Sequence, residues 1–443
     1  MDDSALPARD WRREARPRPH ALLAWLVAGI ALLACGGGDP PPPNLVLLIG
    51  DDHGYPDFGF MGSEIARTPH LDALAAEGVT FPLGYSTSSL CRPALRTLLT
   101  GLEPMQYERF EHTLAQQAEH PPQPAEVVRA LDTLPRLLAE RGYVSFQAGK
   151  YMEGHFEAAG FSEGMVEHLG PVGMKAADRL VRETLDPVLD FVEENADRPF
   201  FLWFAPKVPH LPHNPPERFR ELYQDVDVPA WSRGYYASVS WFDDAVGRLL
   251  AHLDAQGLRE RTLVVYLADN GWDPGPAERP EAMVLGGPKG KKSLYELGFR
   301  TPILLRQPGT LAPARHEQAL VSIADLFPTL LQTAGARVPS GRIGRSLWPL
   351  LAGAAGPPRS ELVGWTHVIR NAPNDRITGG YFWRDLRWRF LQPDGLPVEL
   401  YDLSQDPTET RDVAGAHPEV VARATRAIRA WNRALPSVGG PAR

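Results

Sequence analysis

Residues 44–52 read NLVLLIGDD, which is the clearest structural signal in the chain. The five successive apolar residues Leu45 to Ile49 are typical of a strand that is buried on both faces of a parallel sheet. Gly50 ends the run, and Asp51 and Asp52 follow it directly. Open α/β sheets bind ligands beyond the carboxyl ends of their strands, so we expect these two carboxylates at a functional edge.

Apolar runs alternate with helical patterns throughout residues 44–345. Strands are predicted at Val144–Ala148, Phe200–Phe204, Thr262–Leu267 and Pro302–Leu305, and helices at Pro69–Gly78, Asp132–Gly142, Ala176–Asn195 and Tyr235–Gln256. This alternation predicts an α/β catalytic domain with a doubly wound, mostly parallel sheet flanked by helices. Beyond it, the runs at Trp383–Leu391 and Glu399–Tyr401 and the amphipathic stretch Pro418–Leu435 predict a smaller C-terminal α+β subdomain. That subdomain, residues 346–443, should have a small sheet and a closing helix.

The composition indicates an extended, enzyme-sized globular chain. Its 443 residues include 54 acidic and 46 basic side chains, for a formal net charge of −8, which argues against a nucleic-acid partner. Hydrophobic residues make up 43%, enough to form a large core. The two cysteines, Cys35 and Cys91, lie in unrelated settings, so a disulfide framework is excluded.

Residues 1–34 are predicted to be a lipoprotein-type signal peptide. Basic residues precede an uncharged run, Ala21–Ala34, of about 14 residues, whereas a spanning helix needs roughly 20. The sequence Leu32-Leu33-Ala34-Cys35 resembles a bacterial lipoprotein box, and residues 35–43 form a Gly/Pro-rich tether. We therefore expect an exported protein anchored in the cell envelope, on the periplasmic side or the outer surface, by a lipid on Cys35. Ordinary cleaved secretion and a retained anchor are the alternatives.

A second pair of polar residues, Asp269 and Asn270, follows the predicted strand Thr262–Leu267 as Asp51 and Asp52 follow the first. Three carboxylates and one amide suit a hard cation, Ca²⁺ or Mg²⁺, better than Zn²⁺. Each pair alone is more commonly a turn or a helix cap. Their repetition at two strand ends favours a metal site.

The segment Cys91–Gly101 predicts a helix with Cys91 at its amino end. Pro93 suits the first turn of a helix and Gly101 suits its end. Anions are favoured at such an amino end. The alternative is that Cys91 is a small buried hydrophobic residue.

Several blocks together resemble those of the type I sulfatases, within the alkaline-phosphatase-like superfamily, and they occur in family order. They are Asn44–Asp52, Thr68–Leu74, Cys91–Gly101, Gly149-Lys150, Pro209-His210, Asp269–Gly271, Gly290–Pro302 and Glu399–Leu403. The resemblance implies that a separate maturation enzyme oxidises Cys91 to formylglycine. One hydroxyl of its hydrate attacks sulfur and expels the alcohol, and the second then loses its proton so that sulfate leaves and the aldehyde returns.

The resemblance also implies roles for the polar residues of these blocks. Asp51, Asp52, Asp269, Asn270 and the modified residue 91 would bind Ca²⁺, with Mg²⁺ the less favoured ion. Lys150 and Lys291 would offset the charge on the transferring sulfuryl group, and His210 would donate a proton to the leaving group. Without their blocks, the lysines would be read as solvated charges and the histidine as a hydrogen-bonding residue. His213 is a neighbour with no assigned role.

Two positions depart from the family pattern. The family has arginine four residues after the cysteine, where this chain has Leu95 and places Arg96 next to it. That change moves the charge by about 100° around the helix. Arg96 remains our candidate for the catalytic arginine although it can point elsewhere, and Arg92 offers a second guanidinium.

The second departure is Met152, where the family commonly has histidine. Methionine neither donates a proton nor binds sulfate through charge. His155 and His53 are candidates to fill that place, although a core or surface role fits either of them equally.

Three functions fit these observations. The first is a sulfuric ester hydrolase that releases inorganic sulfate from a sulfated small molecule or glycan. The second is a phosphate or phosphonate ester hydrolase, because such esters need the same tetrahedral anion site. The third is a catalytically degenerate protein that binds sulfated glycans.

Overall fold

The computed structural model describes residues 41–438 except 119, 167–174, 176–177, 274–288, 354–358, 367–369, 372–375 and 378. The predicted signal peptide, Cys35 and most of the tether lie outside the described residues. Among the residues that are described, none of the helices has the length and apolarity to cross a bilayer.

The central sheet has eight strands among the described residues. Their spatial order is β5 (Glu163–Gly164), β4 (Val144–Gly149), β6 (Phe200–Ala205), β1 (Asn44–Gly50), β7 (Thr262–Ala268), β8 (Ile303–Arg306), β2 (Val79–Phe81) and β9 (Ala314–Arg315). The strands from β5 to β7 are mutually parallel, and β8 runs antiparallel to both of its neighbours. The predicted mostly parallel sheet is therefore confirmed.

Helices cover both faces of this sheet. The described helices of this part of the chain are α1 (Pro69–Glu77), α2 (Cys91–Thr100), α3 (Pro104–Gln117), α4 (Pro124–Arg129), α5 (Leu134–Ala139), α6 (Asp186–Glu194), α7 (Glu217–Arg220), α8 (Ala230–Ala255), α9 (Glu296–Phe299), α10 (Leu326–Thr333) and α11 (Trp348–Leu351). Of these, α9 packs with the C-terminal sheet instead. Leu45 and Leu47 pack in one core with residues of α2, α5 and α10. Val46 and Leu48 pack in another with residues of α1, α6 and α8. Successive strand residues thus enter opposite layers, as a doubly wound fold requires.

A second sheet lies in the C-terminal part of the chain. Its described strands are antiparallel, in the order β11 (Glu361–Thr366), β14 (Gly380–Asp385), β15 (Trp388–Pro393) and β16 (Glu399–Asp402). Helix α12 (Pro418–Ala434) packs Val420 and Ile428 against Trp383 and Phe390 of this sheet. The predicted small sheet and closing helix are therefore present. The domain boundary near residue 345 stays a prediction.

Two-residue strands complete the topology. They pair β3 (Gly84–Tyr85) with β10 (Val321–Ser322), and β12 (Arg370–Asn371) with β13 (Arg376–Ile377).

Three predicted elements differ from the structure. The helix predicted over Tyr235–Gln256 begins earlier, at Ala230, directly after Pro229. The described part of Ala176–Asn195 becomes a continuous helix only at Asp186, because Pro187 suits the first turn of a helix and a turn precedes it. The run Trp383–Leu391 is part of a hairpin, not one strand. Asp385 Oδ1 accepts hydrogen bonds from the backbone N–H groups of Arg387 (2.8 Å) and Trp388 (2.7 Å), which turns the chain between β14 and β15.

Candidate active site

Strands β1 and β7 bring the two polar pairs to one edge of the sheet. The strands are adjacent and in register up to Gly50 and Ala268, so Asp51, Asp52, Asp269 and Asn270 emerge side by side, all buried. The Asn270 amide donates a hydrogen bond to Asp52 Oδ1 at 2.7 Å. Asp52 has φ of +63°, a conformation that costs about 1–3 kcal/mol in a residue other than glycine and persists where surrounding contacts hold it.

Two buried lysines enter this cluster from other segments. Lys150 follows β4, and its Nζ lies 2.5 Å from Asp51 Oδ1 and 3.5 Å from Asp269 Oδ2. The preceding Gly149 has φ of +89°, and a Cβ there would meet the Ala205 carbonyl oxygen at 2.2 Å, so this approach requires glycine. Lys291 Nζ lies 2.8 Å from Asp52 Oδ2.

Burial and neighbouring charges shift the pKa values of these groups. Burial alone would lower the pKa of Lys150, but the charges of Asp51 and others hold it well above its usual range. Burial alone would likewise lower the pKa of Lys291, but the charge of Asp52 raises it above its usual range. Burial raises the pKa of Asp269 to about 7, with Lys150 opposing the rise and Asp51 adding to it. Burial would also raise the pKa of Asp52, but Lys291, His210 and Lys150 lower it instead. Both lysines are therefore cationic at neutral pH, and Asp269 is the acid whose charge is incompletely offset.

Two buried oxygen atoms of the cluster have no hydrogen-bond partner, Asp51 Oδ2 and Asn270 Oδ1. Both atoms can only accept, and such atoms are costly to bury without a donor or a cation. The cluster therefore fits a hard, oxygen-binding cation such as Ca²⁺.

Cys91 faces this cluster. It begins α2 and is partly buried. Its Sγ and one carboxylate oxygen each of Asp51 and Asp269 all lie within 4.8 Å of one another. Burial raises the pKa of the Cys91 thiol although Lys150 and Lys291 oppose the rise, so the thiol is mainly protonated at neutral pH.

His210 lies at the open side of the cluster. The Asp51 backbone N–H donates to the Val208 carbonyl at 3.3 Å and so places the segment that follows β6. His210 Nε2 lies 3.6 Å from Asp52 Oδ2, and Nδ1 lies 2.6 Å from the Leu211 carbonyl oxygen.

Comparison with known proteins identifies the family. A family model described as Sulfatase matches residues 43–336, and one described as N-sulphoglucosamine sulphohydrolase, C-terminal, matches residues 288–430. The chain belongs to the sulfatase family. It is a sulfatase, an enzyme that hydrolyses sulfate esters.

Several relatives share this assignment. Arylsulfatase A of Homo sapiens is 32% identical, covering 91% of this sulfatase and 89% of the relative. N-acetylgalactosamine-6-sulfatase of Canis lupus familiaris is 32% identical over 70% of this sulfatase and 66% of its own length. N-sulphoglucosamine sulphohydrolase of Homo sapiens is 29% identical, with coverages of 82% and 74%.

Solved structures share the fold. A protein solved with its substrate D-glucosamine-2-N,6-O-disulfate has a TM-score of 0.72 and 18% identity, covering 88% of this sulfatase and 98% of that chain. A phosphonate monoester hydrolase of Agrobacterium radiobacter has a TM-score of 0.66 and 20% identity, with coverages of 88% and 96%. At these identities the likeness shows the fold alone.

Arg96 of this sulfatase is directed to acidic partners other than the cluster. Its Nε lies 2.9 Å from Glu153 Oε1, its Nη1 lies 3.3 Å from Glu111 Oε2, and its guanidinium carbon lies 4.0 Å from the centroid of the Tyr107 ring. The choice of Arg96 as the catalytic arginine therefore has no support in these contacts. The physical reason is the shift by one helix position, which leaves Leu95 in the apolar core.

The candidates for the missing histidine also lie elsewhere. Met152 packs against the same core as Leu95. His53 is buried, with its Nδ1 2.9 Å from the Tyr266 hydroxyl and its Nε2 3.1 Å from the Asp57 carbonyl oxygen. His155 Nδ1 accepts from the Glu157 backbone N–H at 3.3 Å, so both rings have local structural partners.

His213 packs beside Trp231 and Tyr235. Burial lowers its pKa to about 4, so the ring is neutral at pH 7.

Proposed function

We propose that this sulfatase releases inorganic sulfate from a sulfated sugar, with residue 91 as formylglycine and Ca²⁺ as its metal. The observation that carries the proposal is the meeting of Cys91 Sγ with oxygens of Asp51 and Asp269 within 4.8 Å. The two unpartnered oxygens beside them support it.

Asp51, Asp52, Asp269 and Asn270 would hold the cation, together with residue 91. Their donor atoms are oxygens, which suits Ca²⁺ and, less well, Mg²⁺. A bound cation supplies Lewis-acid polarisation of the sulfate oxygens.

Residue 91 needs modification for turnover. The thiol of unmodified Cys91 is held mainly in its protonated form, and the thiolate is the nucleophilic species. Formylglycine supplies, as its hydrate, one hydroxyl for attack and a second for release of sulfate. A separate maturation enzyme would make it, despite Leu95 in place of the usual arginine.

The remaining residues bind charge and move a proton. Lys150 and Lys291 are cationic and lie beside the acids, where they can bind the sulfate group and offset charge that develops on it. His210 turns Nε2 toward the cluster, and we assign proton donation to the leaving oxygen to that atom.

The sugar substrate is proposed from the names of the relatives. Two of the three relatives described above are named for amino-sugar substrates, N-acetylgalactosamine 6-sulfate and N-sulphoglucosamine. The proposed substrate is therefore a sulfated amino sugar, either free or as part of a glycan.

Turnover of an aryl sulfate against the matching aryl phosphate tests this proposal. We expect sulfate ester hydrolysis only from protein made together with the maturation enzyme, with an aldehyde at residue 91 in the mass spectrum of its peptide. Faster hydrolysis of the aryl phosphate would overturn the proposal and support a phosphate or phosphonate ester hydrolase. Glycan binding without turnover of any ester would indicate the degenerate binding protein.

We also propose export and attachment to a membrane through a lipid on Cys35. The support is the basic, then apolar leader that ends at Ala34-Cys35. Labelling of the wild-type chain, but not of Cys35→Ala, with a fatty acid would test it. Equal labelling of the two chains would overturn it.

A further inference from the structure

Two cationic residues, Arg92 and Lys292, lie beside Cys91 but outside the metal cluster. Arg92 follows Cys91 in the first turn of α2. The Lys292 backbone N–H donates to the Ser89 carbonyl at 3.1 Å, in the segment that leads into Cys91. Both side chains are partly exposed, whereas Lys150 and Lys291 are buried. Two partly exposed cationic residues thus lie in the segments next to residue 91, although the whole chain carries −8.

A buried carboxylate fixes the position of Arg92. Its Nε lies 2.8 Å from Glu153 Oε1 and its Nη2 lies 3.2 Å from Oε2. Glu153 makes a second bidentate pair with Arg96, so one carboxylate serves two guanidinium groups. Arg96 also forms an ion pair with Glu111, and Arg92 does not. The side chain of Arg92 is 36% exposed against 10% for Arg96, so Arg92 is the more accessible of the two guanidinium groups that share Glu153.

Lys292 is held by its backbone rather than by an acidic partner. Its φ of +68° is uncommon for a residue with a side chain and costs about 1–3 kcal/mol, so the fold must impose it. The preceding Lys291 turns its ammonium inward to Asp52. Within the described part of the chain, no salt bridge forms between Lys292 and a carboxylate.

We propose that Arg92 and Lys292 form a subsite for a second anionic group on the substrate, either a further sulfate or a carboxylate. This inference rests on the proposed function, because it assumes that the first sulfate occupies the site at residue 91. A guanidinium and an ammonium bind sulfate and carboxylate oxygens through charge-assisted hydrogen bonds. The enzyme therefore prefers sugars with at least two negative charges.

Binding without turnover tests the subsite. The full-length protein, made without the maturation enzyme and saturated with Ca²⁺, is titrated calorimetrically with three sugars. They are glucosamine 6-sulfate, glucosamine N,6-disulfate, and a 6-sulfated glucosamine linked to a uronic acid. We expect a second anion to lower Kd by about 10-fold, as one charge-assisted contact can provide.

Three variants sharpen this test. Arg92→Gln leaves Glu153 paired with Arg96, and Lys292→Gln removes no ion pair with a described residue, so both variants should fold. In the Arg92→Gln/Lys292→Gln double variant the advantage of the second anion should fall to about 2-fold or less. Arg248→Gln removes an exposed charge from α8 and serves as the matched control.

The outcomes separate the two proposals. A gain with the disulfate alone assigns the subsite to sulfate, and a gain with the uronic acid shows that it accepts carboxylate. The subsite is wrong if no sugar binds or if the wild type gains no affinity from the second anion. It is also wrong if the double variant keeps that gain in affinity, or if the Arg248→Gln control loses it. If the gain holds but matured protein hydrolyses no sulfate ester, the proposed function fails and the subsite stands as a binding site.

Discussion

Two buried clusters of charged residues lie next to each other in the molecule and differ in one respect. In the site cluster three carboxylates, Asp51, Asp52 and Asp269, face two ammonium groups. In the cluster beside the C-terminal sheet two carboxylates, Glu296 and Glu409, face three guanidinium groups. Those are Arg300, Arg384 and Arg389. The first cluster therefore has fewer cations than carboxylates, and the second has more.

Each cluster holds one acid with a raised pKa and one with a lowered pKa. Burial raises the pKa of Glu409 to about 8 although Arg389 opposes the rise, whereas Lys291 and other cations lower the pKa of Asp52 despite its burial. Burial raises the pKa of Asp269 to about 7. Burial would also raise the pKa of Glu296, but Arg389, with its Nη1 2.8 Å from Glu296 Oε1, and the other arginines lower it instead. The Tyr85 hydroxyl donates to Glu296, and the next residue, Ser86, donates its hydroxyl to the Asp269 carbonyl at 2.6 Å. The comparison teaches that a shifted pKa does not separate the site from a structural cluster. The count of charges does, because the first cluster has more carboxylates than cations and the second has fewer.

The largest expected effect is the loss of catalysis in Cys91→Ala. The variant lacks the proposed nucleophile, so sulfate release should fall by at least about 1,000-fold. The melting temperature should stay close to that of the wild type, because the thiol makes no hydrogen bond that the fold needs. Full activity in this variant would refute the nucleophile assignment.

Glu296→Gln should break the other cluster without affecting the site. Removing one partner of a buried ion pair costs about 3–5 kcal/mol in the free energy of unfolding, which urea denaturation measures. Calcium affinity of the folded protein should not change. A change in that affinity would show that the two clusters are not independent.

Calcium removal should destabilise the protein by an amount set by mass action. At 100 times Kd, bound Ca²⁺ adds about 2.7 kcal/mol, so a chelator should lower the melting temperature. The melting temperature of Glu296→Gln should be lower than that of the wild type, but calcium should raise it by the same amount. Identical melting curves with and without Ca²⁺ would argue against the site.

Glu103 tests whether a raised pKa alone marks a functional acid. It is buried away from both clusters, Oε2 has no hydrogen-bond partner, and burial raises its pKa to about 8 although Arg359 opposes the rise. The folded state then holds a proton that the unfolded state loses above its usual pKa near 4.5. Stability should therefore decrease as pH rises from about 4.5 to 8.

Glu103→Gln cannot ionise and should lack that decrease. Its free energy of unfolding relative to wild type should rise by at least about 1 kcal/mol between pH 5 and pH 8.5, with activity unchanged. Parallel pH profiles of stability would mean that Glu103 is not protonated in the folded protein.

The sequence predicted the sheet and the edge where the polar residues meet. Buried parallel strands have continuous apolar runs, and their carboxyl ends must share an edge. The proximity of Asp51 and Asp269 could therefore be predicted from the sequence. The amino end of α2 followed from Pro93 and Gly101 in the same way.

The side-chain partners could not be predicted. Nothing in the spacing of Arg96 and Glu153 indicates that they meet, because their contact depends on how α2 packs against the loop after β4. The turn at Asp385 lay inside an apolar run and was missed for a similar reason, since it depends on a local side-chain hydrogen bond.

A calorimetric calcium titration of the wild type and Asp269→Ala tests the central claim most directly. The claim is that the carboxylates and amide at the ends of β1 and β7 hold one divalent cation beside residue 91. We predict one site per chain in the wild type and an affinity at least about 10-fold lower in the variant. No saturable binding by the wild type, or equal titrations of the two proteins, would contradict the account.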